Sequence, residues 1–318
     1  MNKYPNRALS TLAIIVLVCA SNASMVRRSF IPTLTPKQAE LELEKLKKQS
    51  LGSYSFVFDL EHRSKDSKKK PETCFISGTE TGNNRSMRLD VPGQKYSLLL
   101  NLVNSPSPSM VLHYHGRISG VPVILARLGL LVHRLLPPLS PMKLVLPWLG
   151  LLCDVDNKVT SPPDSIYDQI IPGFIFTPAD MGFSFIFWDK FTYLGPKNVL
   201  GLQTQQFKLE PGPGQAVGLA NVGYVRISFC TSYGAIIRVE YFDKQDNLLK
   251  KMDLLRFKKI DGQWVMTEID MVDEVTKHRT KLRVKKIAFG CNIGRYLSVN
   301  WLDRPIDECE NGLKYTDV

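Results

Sequence analysis

Five stretches decide how this chain folds: YVRISFC (Tyr224–Cys230), IIRVEYF (Ile236–Phe242), LKKMDLLRFKKI (Leu249–Ile260), WVMTEIDMV (Trp264–Val272) and HRTKLRVKKI (His278–Ile287). In the first, Val225, Ile227 and Phe229 alternate with Arg226, Ser228 and Cys230; in the second, Ile237, Val239 and Tyr241 alternate with Arg238 and Glu240. Period-two alternation in successive short runs is the signature of half-buried strands. Turn chemistry separates them. Asp243 to Asn247 is rich in side chains that bond their own backbone, and Asp261-Gly262 tolerates the positive φ of a tight hairpin. The last run places Arg279, Lys281, Arg283 and Lys285 on one face and Thr280, Leu282 and Val284 on the other. The expectation is an antiparallel meander with one apolar face and one wet, basic face.

The front half repeats this architecture. Tyr54–Arg63, Cys74–Glu80, Asn84–Pro92, Tyr96–Val103 and Val111–His115 read as strands, divided by Gly, Pro, Asn and a Lys- and Ser-rich loop. Before them, Thr35-Pro36 opens a helix, with Gln38 completing a capping-box spacing and Ala39, Leu43 and Leu46 on one side. After them, Phe183–Trp188 reads as an aromatic strand that puts Phe183, Phe185 and Phe187 on one face. Thr177–Asp180 marks a turn before it, and Gly201–Glu210 a further strand after it. The tail weakens, with Tyr296–Trp301 as a possible last strand.

Between the halves, residues 118–153 are almost continuously apolar but broken by five prolines. Val121–Leu136 has helical length, with Arg127 and Arg134 on the same side. A transmembrane hairpin is disfavoured by Arg127, His133 and Arg134 within a short span. An interfacial amphipathic helix and a pair of apolar helices over the mouth of a sheet both remain open, and the second is favoured. As a lid, it would turn Leu125, Leu128 and Leu131 to an interior opposite the Phe183, Phe185 and Phe187 row, with Trp264 anchoring two strands.

The chain has 318 residues, a formal charge of +11 and a hydrophobic fraction of 44%, enough to build a core. Its cations are spread along the sequence without the interleaved aromatics of a nucleic-acid platform, so no nucleic-acid partner is expected. Lys3 and Arg7, the apolar run Leu9–Cys19 and the small residues of Ser21-Asn22-Ala23 make a secretory signal, with cleavage expected after Ala23. A lipid-modified Cys19 is the alternative, although Val18 stands where a small residue is wanted. The expected product is one domain from residue 24 to 318. Its Cys74, Cys153, Cys230, Cys291 and Cys309 are an odd set, without a CxxC spacing.

No catalytic spacing is present: there is no G-x-S-x-G, no H-E-x-x-H and no phosphate-cradling G-x-x-x-x-G-K. His113 and His115 point the same way on a strand but lack an evident third ligand, so no metal or other cofactor is expected. An exported, β-rich chain without a reactive constellation suggests binding or carriage, and not an enzyme.

Several of these segments carry a resemblance. Phe183–Tyr193, NVLGLQTQQFKL (Asn198–Leu209), VRISFCTSYGAIIRVEYFDKQDNLLKKM (Val225–Met252), FKKIDGQWV (Phe257–Val265) and RTKLRVKKI (Arg279–Ile287) come in the order seen in LolA-like outer-membrane lipoprotein-sorting proteins. Over roughly residues 174–290 the chain resembles a divergent bacterial member of that family. The resemblance implies mainly β structure with α: an unclosed, curved antiparallel sheet (a half barrel), an N-terminal helix and an apolar helical lid. It also implies a monomeric periplasmic carrier of lipid or lipoprotein acyl chains, served by membrane complexes that deliver or receive the lipoprotein. No residue matches the family's lid-locking arginine, so no functional residue carries over. The length and apolarity of residues 118–153 also support a second reading, a peripheral envelope protein that docks on a membrane or partner with the same fold.

Overall fold

The structure is a computed structural model; it describes residues 16–17, 32–48, 52–64, 70–81, 84–92, 96–102, 109–114, 169–171, 173–212, 221–260, 263–302, 304 and 313–318. Residues 1–31 apart from Val16–Leu17, and the apolar segment 118–153 with Leu125, Leu128 and Leu131, lie outside the described residues, as do Cys153 and Cys309.

Twelve strands form one antiparallel sheet. The front five are β1 (Ser53–Arg63), β2 (Glu72–Thr81), β3 (Asn84–Val91), β4 (Tyr96–Leu102) and β5 (Ser109–Tyr114). The back seven are β6 (Lys190–Val199), β7 (Leu202–Glu210), β8 (Tyr224–Cys230), β9 (Ala235–Phe242), β10 (Leu248–Ile260), β11 (Gln263–Asp273) and β12 (Arg279–Phe289). Their order, β5-β4-β3-β2-β1-β12-β11-β10-β9-β8-β7-β6, is two meanders welded through the first and last strands, with Phe56 opposite Ile287 and His62 opposite Thr280. Among the described residues β5 and β6 do not pair, so the sheet is not closed. The two-residue strands Val16–Leu17 and Thr316–Asp317 add to β11 and β12.

The alternation places one side chain of each pair inside. Val225, Ile227, Phe229, Val239, Tyr241, Met252, Leu254, Ile269 and Leu282 join Phe56, Phe58, Leu60, Leu89 and Leu98 in one core. One detail departs from strict alternation. A β-bulge between Ile236 and Arg238 sends Ile236 to the main core and Ile237 to a small separate cluster with Val199, Cys230 and Ala235. An extra residue in one strand reverses the facing of what lies on either side of it.

Helix α1 (Pro36–Lys48) follows its sequence signals: the Thr35 amide donates to Gln38 Oε1 at 2.9 Å, the Gln38 amide donates back to Thr35 Oγ1 at 3.4 Å, and Ala39, Leu43 and Leu46 are buried. It crosses the inner face as a strap. The preceding segment is tied to the back meander, with the Leu34 amide donating to Tyr193 Oη at 3.0 Å and Gln205 Nε2 donating to the Pro32 carbonyl at 3.2 Å. Its far end reaches the front meander, where Arg85 donates to the Lys47 carbonyl at 3.5 Å.

The outer face is charged as expected from the sequence, and most of its cations on β12 are paired. Four cations of β12 have a carboxylate: Arg279 meets Asp270, Lys281 meets Glu268 at 2.9 Å, Arg283 meets Glu61 at 2.6 Å and Lys285 meets Asp59 at 3.1 Å. The rows continue through Arg238 with Asp253 and Arg226 with Glu240. Cross-strand neighbours supply the opposite charge, which a single strand's alternation cannot show. Burial raises the Glu268 carboxyl, but the hydrogen bond and charge of Lys281, with Arg256 and Arg283, outweigh it and hold its pKa below the usual value. A depressed folded pKa stabilises above the unfolded value and is lost as pH falls through the folded one. Glu268→Gln should therefore be less stable than wild type near pH 7, with the gap in urea midpoints closing below about pH 4. A gap independent of pH would count against this pairing.

Two expectations are corrected. Tyr296–Trp301 is not a strand but lies in two short 3-10 turns, Gly294–Leu297 and Val299–Trp301, held against the back of the sheet by Ile293 and Tyr296 packed with Phe75 and Leu313. Phe183–Trp188 is not a strand either. Phe183 adopts a left-handed φ of 47° and Ser184–Phe187 is a 3-10 turn. Lys190–Val199, which the sequence reading passed over, is the edge strand β6.

Candidate functional site

The inner face holds a small apolar cavity that is open at one side. Its floor comes from the middle of the sheet: Tyr54, Phe56 and Phe58 of β1, Ile76 of β2, Val265, Met266 and Ile269 of β11, and Leu282 and Val284 of β12. Its roof is Phe176, Asp180, Met181 and Phe183. The wall is almost wholly apolar, and it sits where β11 and β12 part: their pairing runs only from Glu268 opposite Arg283 to Val272 opposite Arg279. Beyond that point β11 leaves β12 and pairs instead with Val16–Leu17, through Val265 and Trp264, while Val265, Met266 and Val284 line the cavity.

The roof is built by a capped turn. Thr177 caps the short helix α2 (Pro178–Gly182), Pro178 takes a position whose missing N–H costs nothing, and Asp180 closes a reciprocal capping box. Asp180 is buried, and its carboxylate gathers several donors. It accepts from the Thr177 amide at 2.9 Å, from Thr177 Oγ1 at 2.7 Å, from Tyr241 Oη at 2.7 Å and from Lys250 Nζ on both oxygens, at 2.8 and 2.7 Å. Lys250 also lies 4.4 Å from the centre of the Tyr241 ring. One carboxylate thus caps the turn and pins it to β9 and β10. Sequence reading found the turn at Thr177–Asp180 but missed Tyr241 and Lys250, which are remote in the chain.

Of the candidate site residues, Phe183 lines the cavity. Phe185 packs edge-on to Tyr241 at 5.9 Å, and Phe187 lies under the Arg85 guanidinium at 5.0 Å. Phe183 and Phe185 also pack edge-on to each other at 5.7 Å, now within a 3-10 turn instead of the alternation of a strand. Trp264 pairs through its backbone with Lys259 in the β10–β11 hairpin, as expected, while its side chain lies outside the described residues. So do the side chain of His113 and all of His115. No group of three metal-ligating side chains occurs among the described residues, nor any helix long and apolar enough to cross a membrane.

A family model described as that of an uncharacterized protein matches residues 167–300. No curated protein matches the sequence. A DUF1329 family protein from Desulfovibrio piger superposes with a TM-score of 0.59 at 13% identity, covering 83% of this chain and 96% of that one. A putative outer membrane lipoprotein-sorting protein domain from Vibrio parahaemolyticus also gives 0.59, at 12% identity, with 84% and 97% covered. A LolA superfamily protein from Nitrosomonas europaea aligns over 83% and 98% at 13% identity, with a TM-score of 0.46 that adds nothing to the assignment. The chain shares its fold with the DUF1329 family protein and the lipoprotein-sorting protein domain, an unclosed antiparallel sheet round an apolar interior.

Proposed function

We propose that the protein is a carrier that shields acyl chains of a lipid or lipoprotein in the cell envelope, acting in the periplasm after removal of residues 1–23. The observation that carries this reading is the apolar cavity between the β2-β1-β12-β11 floor and the α2 turn, open at a mouth and without a reactive group set. Each methylene moved from water to such a wall gains about 0.8 kcal/mol, so binding needs no chemistry. The turn can give way: Met181 and Phe183 hold it to the floor by apolar contact, and the polar ties of the roof include the Asp180 cluster and the bond from the Ile175 amide to Thr280. A chain entering the cavity would replace the contacts it displaces. The resemblance to a lipoprotein-sorting domain supports the same cargo, and a delivering or receiving membrane complex follows from it. Leu125, Leu128 and Leu131 would add cover in this reading, which does not depend on them.

The test is titration of the purified protein with a fluorescent monoacyl lipid, together with lipid analysis of the protein as isolated. Wild type should bind near one lipid per chain. Met181→Arg, which brings a cation to the roof, should weaken binding at least tenfold with the fold retained, since an uncompensated charge resists burial. No binding by wild type, or equal binding by both proteins, would leave the docking-protein reading in its place.

A further inference from the structure

A buried polar cluster sits in the apolar interior beside the cavity. Tyr54 is fully buried, lines the cavity, and its hydroxyl has no hydrogen-bond partner among the described residues. The ring reaches across β2 because Gly78 lies opposite it: a Cβ there would stand 2.4 Å from Tyr54 Oη. One row further along the same strands, Glu80 faces Arg85 in register, and the two buried side chains form an ion pair at 3.7 Å. Arg85 is held in turn by the Lys47 carbonyl at the end of α1 and by the Phe187 ring. Ionic groups taken out of water are costly unless paired, and a buried hydroxyl without a partner is costly as well. A dry cavity built only for hydrocarbon would need none of them.

We propose that Tyr54, with the Arg85–Glu80 pair behind it, recognises the polar end of the cargo, and that this end is a neutral hydrogen-bond acceptor such as the ester carbonyl of an acylglycerol. This rests on the carrier reading and narrows its ligand. Three features select the chemistry. The charges of Arg85 and Glu80 cancel, so the cluster offers no net attraction to an anion. Burial, followed by the charge of Glu80, pushes the Tyr54 phenol well above its ordinary range, so it remains a donor. The neighbouring wall is hydrocarbon, as an acyl tail requires.

The experiment compares monoolein, oleate at pH 8 and a nonpolar fluorescent dye on wild type, Tyr54→Phe and Gly78→Ala, with thermal midpoints recorded alongside. Wild type should bind monoolein at least tenfold more tightly than oleate. Tyr54→Phe should lose about tenfold for monoolein, the worth of one ordinary hydrogen bond, while oleate and dye binding stay as they were. Its unliganded midpoint should not fall, because it removes an oxygen that lacks a partner. Gly78→Ala should displace the ring and lose the same preference. If dye and both lipids bind but Tyr54→Phe matches wild type for monoolein, or oleate is preferred, the head-group assignment is overturned and the carrier reading stands. If neither lipid nor dye binds, both are overturned.

Discussion

Asp180→Ala should cost about 3–5 kcal/mol, as expected when one partner of a largely buried ion pair is removed and the other is left behind. Asp180 is 1% exposed and the Lys250 side chain 18% exposed, so the stranded ammonium could reach water only by disturbing β10. The same change leaves Tyr241 Oη and the Thr177 donors without their acceptor and removes the side-chain half of the capping box of α2. Lys250→Met should cost less, about 1–2 kcal/mol, because Asp180 would keep Thr177 and Tyr241. A double-mutant cycle of the two should then show a coupling above about 1 kcal/mol. The roof should also loosen, so Asp180→Ala should bind a hydrophobic dye that wild type excludes at the same denaturant concentration. A urea midpoint within error of wild type would show that the cluster does not hold the roof.

Arg88→Ala should be of similar size, for the opposite face of the sheet. Arg88 is 1% exposed; its Nε donates to both oxygens of Asp90 at 2.9 and 3.0 Å. Its terminal nitrogens donate to the carbonyls of Trp301 and Arg304, each at 2.8 Å, so the side chain anchors the C-terminal segment to β3. Removal leaves the Asp90 carboxylate buried with Ser97 as its remaining donor among the described residues, a loss of about 3–5 kcal/mol. The segment that ends in the Val299–Trp301 turn should become a protease target under native conditions. Replacing both partners, Arg88→Met with Asp90→Leu, should recover much of the stability but not the protection of the segment, since the carbonyl contacts stay lost. Protection unchanged in Arg88→Ala would mean that Ile293, Tyr296 and Phe75 hold the segment alone.

The strands and the helix were legible because their signals are local. Alternation at Tyr224–Cys230, the Asp261-Gly262 hairpin and the Thr35-Pro36-x-Gln38 cap each depend on residues within a turn or two of one another. Phe183–Trp188 misled for an equally physical reason. Alternating aromatics favour a strand, but the capped turn at Thr177 ends in a left-handed Phe183, and that residue starts a 3-10 turn. Burial of the rings against Tyr241 and the cavity floor overrides the strand preference. The paired outer face was hidden because the alternation of β12 shows its cations but not the neighbours that meet them.

The sequence by itself determined the antiparallel strands, the inward face of most of them, the strap helix and the absence of a reactive motif, since each is set by short-range spacing and backbone preference. Tertiary structure alone decided that the first and last strands weld two meanders, that β11 and β12 part over an apolar gap, and that Asp180, Tyr241 and Lys250 meet. It also placed Tyr54 across Gly78 beside Arg85 and Glu80. These are contacts between residues tens to hundreds of positions apart, and no periodicity along a strand carries information about which distant strand will lie beside it.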